Sequence, residues 1–301
     1  MPRAIVVGLD ASPESAAAAD WAAGEAVLRG LPVELVQGWP RPPFGGPHQV
    51  EVDSVSERWG RRVLDRMELE LRTRHDGVEV TALQVPRPPV DVLSAASHDA
   101  VMLVLGSRAL GAVRGSILGS VSQAVLVRAA CPVVLVRSEH RASAEHVPDD
   151  AGLPSVRTSF RPVVLGLDIR RACDDVLAFA FEEAALRSAP LHVAHAGHPS
   201  VGLGYAAPPL SAASTTQFIA EEEHRAAATL RPWREKYPQV ETDQRVIVGS
   251  AARFLVEAVP AAGLMVVGRR IREPAICFHI GPVCHAVIHH AACPVAVVPY
   301  R

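Results

Sequence analysis

The chain has 301 residues, enough for two domains that each bury a core. Hydrophobic residues make up 49 % and charged ones 21 %, the balance of a globular protein, and a formal net charge of -2 offers no basic face to nucleic acid. Lys236 is the single lysine among the 30 basic residues, which excludes a Walker A loop and its Gly-Lys-Ser/Thr core. Asp10 interrupts the first apolar run before an export signal can form. No stretch approaches the roughly eighteen apolar residues of a membrane span. The expectation is a cytoplasmic protein with neither membrane nor nucleic acid as partner. Cys131, Cys173, Cys277, Cys284 and Cys293 are odd in number and lie in apolar or helical context, as reduced thiols do, so no disulfide is expected.

Ala4 to Leu9 reads as an apolar strand ending at Asp10. Ser12-Pro13-Glu14 supplies an N-cap, a proline for the first helical position and an early acid. The helix this starts runs to Arg29, where Gly30 and Pro32 stop it. Val33 to Gln37 is a second strand, Trp39 to Pro47 a loop rich in proline and glycine, and Val52 to Arg74 a long amphipathic helix. Val78 to Val85 is a third strand, and a turn at Pro86 to Pro89 leads to a short helix near Asp91 to Ser97. Val101 to Leu105 is an apolar run of the kind a parallel sheet buries on both faces. After it come Gly106, Gly111, Gly115 and Gly119, then a helix opening at Ser120 and a last strand after Cys131-Pro132.

The same order recurs. Val163 to Asp168 (VVLGLD) answers Ile5 to Asp10 (IVVGLD) at an offset of 168 minus 10, or 158. Cys293-Pro294-Val295 answers Cys131-Pro132-Val133 at 293 minus 131, or 162. Two matches at nearly equal offsets make the chain a tandem repeat. Its domains are expected at residues 1–138 and 160–301, with the polar, proline-containing stretch 139–159 as linker. In the second copy Asp174 to Arg187 and Gln217 to Tyr237 read as helices, the latter kinked or restarted by Pro232. Leu191 to Ala196, Gln244 to Val248 and Leu264 to Val267 read as strands, and Glu221-Glu222-Glu223 as a solvated helix face. Strands alternating with helices call for parallel, doubly wound α/β sheets.

In such sheets a ligand lies beyond the carboxyl ends of the strands, where strand order reverses. Asp10 and Gly106 end the first and fourth strands, and both face one crevice if those strands are neighbours. An acid there accepts hydrogen bonds from a ribose or an adenine amine, and a glycine lets backbone approach a ligand. Gly119 and Ser120, at a helix start, offer N–H groups and a hydroxyl to phosphate. Arg108 and Arg114 are placed to offset its charge. A plain alternative is that Asp10 caps the first helix and the glycines only shape a loop.

These residues resemble the universal stress protein family, in particular its tandem members. Its nucleotide-binding pattern of Gly, two residues, Gly, nine residues and Gly-Ser is matched by Gly106, by Leu110 to Leu118 and by Gly119-Ser120, with Asp10 after the first strand. The wording VVGLDASPES, GSR, GSVSQAVL and CPVVLVR is similar too. The resemblance implies an adenine nucleotide alpha hydrolase-like fold with a mostly parallel five-stranded sheet in each domain. It implies ATP, accompanied by Mg2+, as the ligand of the first domain. The implied site residues are Gly8, Asp10 and Gly38 around adenine and ribose. Gly106, Ser107, Arg108, Gly111, Ala112, Gly119, Ser120, Val121 and Ser122 are those implied around the phosphates. It also implies pairing of the last strands, Val133 to Val136 and Val295 to Val298, a pseudo-dimer within the chain, and homodimers. The role implied is a nucleotide-dependent regulator in a stress response, with the protein partner unspecified. One position departs from the pattern. Ala109 replaces the second glycine, and an alanine held at positive φ costs about 1–2 kcal/mol, which Gly111 could absorb.

The second copy departs further. Gly268 and Gly281 keep the outer glycines and Gly166 and Asp168 the first turn. Ile271 replaces the second glycine, Pro282 replaces the serine, and Glu273 adds negative charge where phosphate would sit. A structural pseudo-domain is expected. Cys277, His279, Cys284, His285, His289 and His290 are of metal-binding type, but their spacing fits no zinc finger and no metal is assigned. No GxSxG, HExxH or CxxC occurs and no catalytic residue is assigned. The alternatives to an ATP-binding regulator are a nucleotide-free interaction protein and a slow ATPase.

Overall fold

The computed structural model describes residues 3–40, 47–107, 119–171, 174–197, 212–258, 262–271 and 280–301, with residues 47–54, 56, 212 and 258 described as backbone only. The chain forms two compact units. One comprises Met1–Ala142 with Pro294–Pro299, the other Ser143–Arg272, Ile280–Cys293 and Tyr300–Arg301.

In chain order the first part holds β1 (Ile5–Gly8), α1 (Pro13–Arg29), β2 (Val33–Gly38), α2 (Pro47–Arg74), β3 (Val80–Val85), α3 (Pro89–Ala96), β4 (Met102–Ser107), α4 (Ser120–Arg128) and β5 (Val133–Arg137). The second part repeats the order with β6 (Val163–Gly166), α5 (Asp174–Arg187), β7 (Leu191–Gly197), α6 (Ala212–Lys236), β8 (Thr242–Val248), α7 (Ala251–Ala258), β9 (Leu264–Arg270), α8 (Pro282–His290) and β10 (Val295–Tyr300).

In the first unit the strands lie in the order β3-β2-β1-β4-β5, every neighbouring pair parallel. Antiparallel pairing of Val295, Ala296 and Val297 with Leu135, Val134 and Val133 adds β10 beside β5. The strands are buried on both faces because helices cover both: α1 packs with α2, and α3 with α4. Ile5, Val7, Met102, Leu103, Val104, Val134 and Val136 are fully or almost fully enclosed. In the second unit β9-β6-β7-β8 repeats the parallel order, with α5 against α6 and α7 against α8.

The local signals act as the sequence implies. Ser12 caps α1 by accepting from Ser15 N–H at 3.1 Å, Pro13 follows, and Gly30 ends the helix at φ 63°. α1 buries a stripe of small residues, Ala18, Ala19, Ala22, Ala23 and Ala26, which lets it lie close on β4. That close approach is why residue 106 is glycine. A Cβ there would come within 2.6 Å of the carbonyl carbon of Glu14 and 2.8 Å of Ser15 N. Gly38 is held likewise by α3, since its Cβ would meet Pro89 Cα at 2.6 Å.

α6 passes through Pro232 as one helix, so of the kink or restart expected there the restart does not occur. One expectation changes. Glu222 is not solvated, as the Glu221-Glu222-Glu223 run suggested; it is fully enclosed and bonded to His195 and Arg225. The polar stretch between the copies also carries order of its own. Residues 142–145 form a 3-10 turn, and the His146 and Phe160 rings pack 4.0 Å apart. Arg187, itself 4 % exposed, binds Glu183 and approaches Glu145 to 3.9 Å, which ties that stretch to α5.

Candidate functional site

Strand order reverses between β1 and β4, and beyond their carboxyl ends lies a cavity of about 620 Å³. Its volume falls within the range of roughly 300–1,000 Å³ typical of small-molecule and cofactor sites. Gly8, Asp10, Gly38, Gly106, Gly119, Ser120, Val121 and Ser122 line it, so eight of the residues singled out by sequence converge on one space. Ser107 ends β4 but is buried and does not line the cavity. Arg108, Ala109, Gly111, Ala112 and Arg114 lie outside the described residues.

Asp10 closes a turn rather than capping α1. Its Oδ1 accepts from the backbone N–H of Ser12 at 3.0 Å and from the Ser12 hydroxyl at 2.5 Å, and its N–H donates to Ser15 Oγ at 3.4 Å. Ala11, between Asp10 and the capping serine, has φ 65°, a left-handed conformation that costs an alanine about 1–2 kcal/mol. The turn therefore holds Asp10 at the cavity mouth against local strain.

Opposite, Gly119 precedes α4, and among the described residues no side chain bonds to the cap, so a glycine stands where a Ser, Thr, Asp or Asn acceptor is usual. Ser122 Oγ donates to Gly106 O at 3.1 Å and ties the helix start to the end of β4. The arrangement offers backbone donors and the positive end of a helix dipole to an anion.

Sequence reasoning missed the rest of the wall. Gln37, Trp39, Pro40, Val55, Trp59 and Gln84 also line the cavity. They come from β2, the chain after it, α2 and β3, and no local motif links them. The available signal was a glutamine in the otherwise apolar ends of both VELVQG and VTALQV.

The second unit builds the corresponding corner differently. Cys284 stands at Ser122's place and donates from Sγ to Gly268 O at 3.1 Å, while Pro282 replaces Ser120. Asp168 Oδ1 accepts from Arg170 N–H at 3.1 Å. Glu273, Cys277 and His279 lie outside the described residues, and among the described ones no three His, Cys, Asp or Glu side chains gather as metal ligands do.

Burial pushes the thiols of Cys131 and Cys284 up from 9.0 to about 12. In the unfolded chain these thiols ionise near 9.0. Between that pH and 12 the folded state therefore holds protons the unfolded state has lost. Their stabilisation is complete below pH 9 and is lost as pH rises toward 12. Urea midpoints should fall between pH 9 and pH 11, and fall less in a Cys131→Ala, Cys284→Ala double variant; equal slopes would contradict the assignment. Native protein at pH 8 should alkylate at neither position.

A family model described as the universal stress protein family matches residues 1–137 and 159–299. Two universal stress proteins of Mycobacterium tuberculosis (strain ATCC 25618 / H37Rv) are each 32 % identical to the chain. One match runs over 303 residues, covering 97 % of this chain and 96 % of the relative, and the other over 305, covering 97 % and 95 %. Among solved structures, a universal stress protein from Archaeoglobus fulgidus DSM 4304 superposes with a TM-score of 0.69 at 18 % identity, covering 98 % of each chain. A universal stress protein from Archaeoglobus fulgidus solved in complex with dAMP covers 44 % of this chain and 97 % of its own, at 24 % identity and a TM-score of 0.34.

Proposed function

The chain belongs to the universal stress protein family, and on that premise we propose that its first repeat binds ATP and that the bound nucleotide biases a conformational equilibrium through which the protein signals. The observation that carries this is the cavity at the strand-order reversal. It is bounded on one side by the Asp10 turn and on the other by the uncapped start of α4. Ribose hydroxyls would donate to Asp10, and phosphate oxygens would accept from the N–H groups of Ser120, Val121 and Ser122. Arg108, Gly111 and Ala112 complete the phosphate loop in this reading. The charged residues among the described cavity lining are Asp10 and Glu14, both acidic, so a triphosphate suits this wall better as its Mg2+ complex. The protein works in the cytoplasm, and the second repeat, with Pro282 and Cys284 where the first has serines, has a structural part.

Titration calorimetry should find one ATP per chain. At an ATP concentration of 100 times Kd the first unit should gain about 2.7 kcal/mol of stability. No heat and no thermal shift at millimolar ATP would overturn the proposal in favour of a nucleotide-free interaction protein.

A further inference from the structure

Deep in the cavity, at the end of β2, Gln37 is 7 % exposed. Its register partner on β3 is Gln84, and the two amides touch: Gln84 Nε2 donates to Gln37 Oε1 at 3.3 Å and to the carbonyl of Glu57 on α2 at 3.2 Å. A carbonyl only accepts, so the bond to Glu57 fixes which end of Gln84 is the amino group. The atom of Gln37 that faces it must then be oxygen, which fixes the orientation of the second amide as well. Gln37 Nε2 is left with no acceptor among the described residues, although it carries two N–H donors. Because Gln37 lines the cavity, those donors are available to a group bound there.

Gly60 of α2 makes room for the pair. A Cβ at that position would collide with Gln37 Oε1 and Gln84 Nε2. The second unit shows the same corner closed. Val80 pairs with Val33 as Thr242 pairs with Leu191, so β3 and β8 correspond at an offset of 242 minus 80, or 162, and β2 and β7 at 191 minus 33, or 158. At these offsets His195 stands for Gln37, and Glu222 stands for Gly60, because each lies 14 residues before the end of its helix, 236 minus 222 in α6 and 74 minus 60 in α2. His195 Nδ1 lies 2.9 Å from Leu167 O and Nε2 lies 3.1 Å from Glu222 Oε2, so both ring nitrogens are occupied. The first unit leaves an oriented donor facing open space where the second satisfies every nitrogen internally.

We infer that Gln37 is the base-reading residue of the first unit. Its amide, held by Gln84 and uncovered by Gly60, donates to a ring nitrogen of the adenine. This rests on the ATP reading above. Position supports the base over the phosphates: β2 is two strand spacings from β4, about 9.6 Å, which separates Gln37 from the Gly106 and α4 donors by roughly the span of a nucleoside. Gln37 therefore sets base selectivity, and Gln84 is a positioning residue that acts through it.

The test is calorimetric titration of the full chain with ATP and with its 1-deaza, 3-deaza and 7-deaza analogues, repeated on Gln37→Leu. Wild type should lose about ten-fold in affinity toward one of the three analogues, the one lacking the acceptor. Gln37→Leu should lose about the same factor toward ATP and discriminate no further against that analogue. The analogue series on wild type stands even if the variant folds poorly. Wild type that binds ATP and all three analogues equally overturns the inference alone, as does a folded Gln37→Leu with undiminished affinity or with losses that simply add. Wild type that binds no ATP overturns the reading of the site, and this inference with it.

Discussion

Gly119→Leu is expected to lower ATP affinity by about 100-fold or more, a loss of roughly 2.7 kcal/mol, while changing stability by less than about 0.5 kcal/mol. Both halves follow from the geometry of one residue. Gly119 has φ -50° and ψ 142°, which any L-residue adopts, and an added Cβ would meet only Ser122 Oγ at 4.0 Å. The leucine therefore fits the backbone, yet its side chain enters the space that the α4 amides face. Calorimetry with ATP and a urea titration on the same sample read the two quantities. Binding that survives in a folded variant would move the phosphates away from α4. Gly106 cannot serve for this test, because a side chain there strikes the backbone of Glu14 and unfolding would masquerade as lost binding.

That contrast between two glycines of one motif shows what a sequence pattern conveys and what it leaves out. Gly106 and Gly119 were both legible, and the cavity brings them together. Their physical reasons differ: Gly106 is a packing requirement set by Glu14 and Ser15 in the first turn of α1, and Gly119 is an open cap. The strand and helix order was legible from short apolar runs punctuated by Ser12-Pro13, Gly30 and Cys131-Pro132, because caps and breakers act over a few residues. Gln37, Gly60 and Gln84 were not. They are brought together by the parallel register of β2 on β3 and by the rotation of α2, and both are fixed only once the sheet has assembled. Glu222 was misread for a related reason. Three consecutive glutamates look alike in sequence, but consecutive helix positions differ by about 100°, and only the middle one is turned inward.

Glu222→Ala is accordingly expected to destabilise the second unit by about 3–5 kcal/mol, the usual cost of breaking a buried charged pair from one side. Glu222 is fully enclosed, and its two oxygens take bonds from His195 Nε2 at 3.1 Å and Arg225 Nη1 at 2.6 Å. Arg225 is 60 % exposed at its side chain and can turn to water. His195, 4 % exposed and anchored through Nδ1 to Leu167, cannot. The variant thus leaves a cavity and an orphaned ring nitrogen in one place. A double variant, His195→Leu with Glu222→Ala, should recover part of the loss, since it removes the orphan and leaves only the packing defect. Hydrogen exchange of the β6 and β7 amides reads the stability of this unit separately from that of the first. Equal destabilisation in the single and double variants would show that Glu222 contributes volume alone. A milder double variant would show that the orphaned imidazole nitrogen, and not lost volume alone, carries part of the cost.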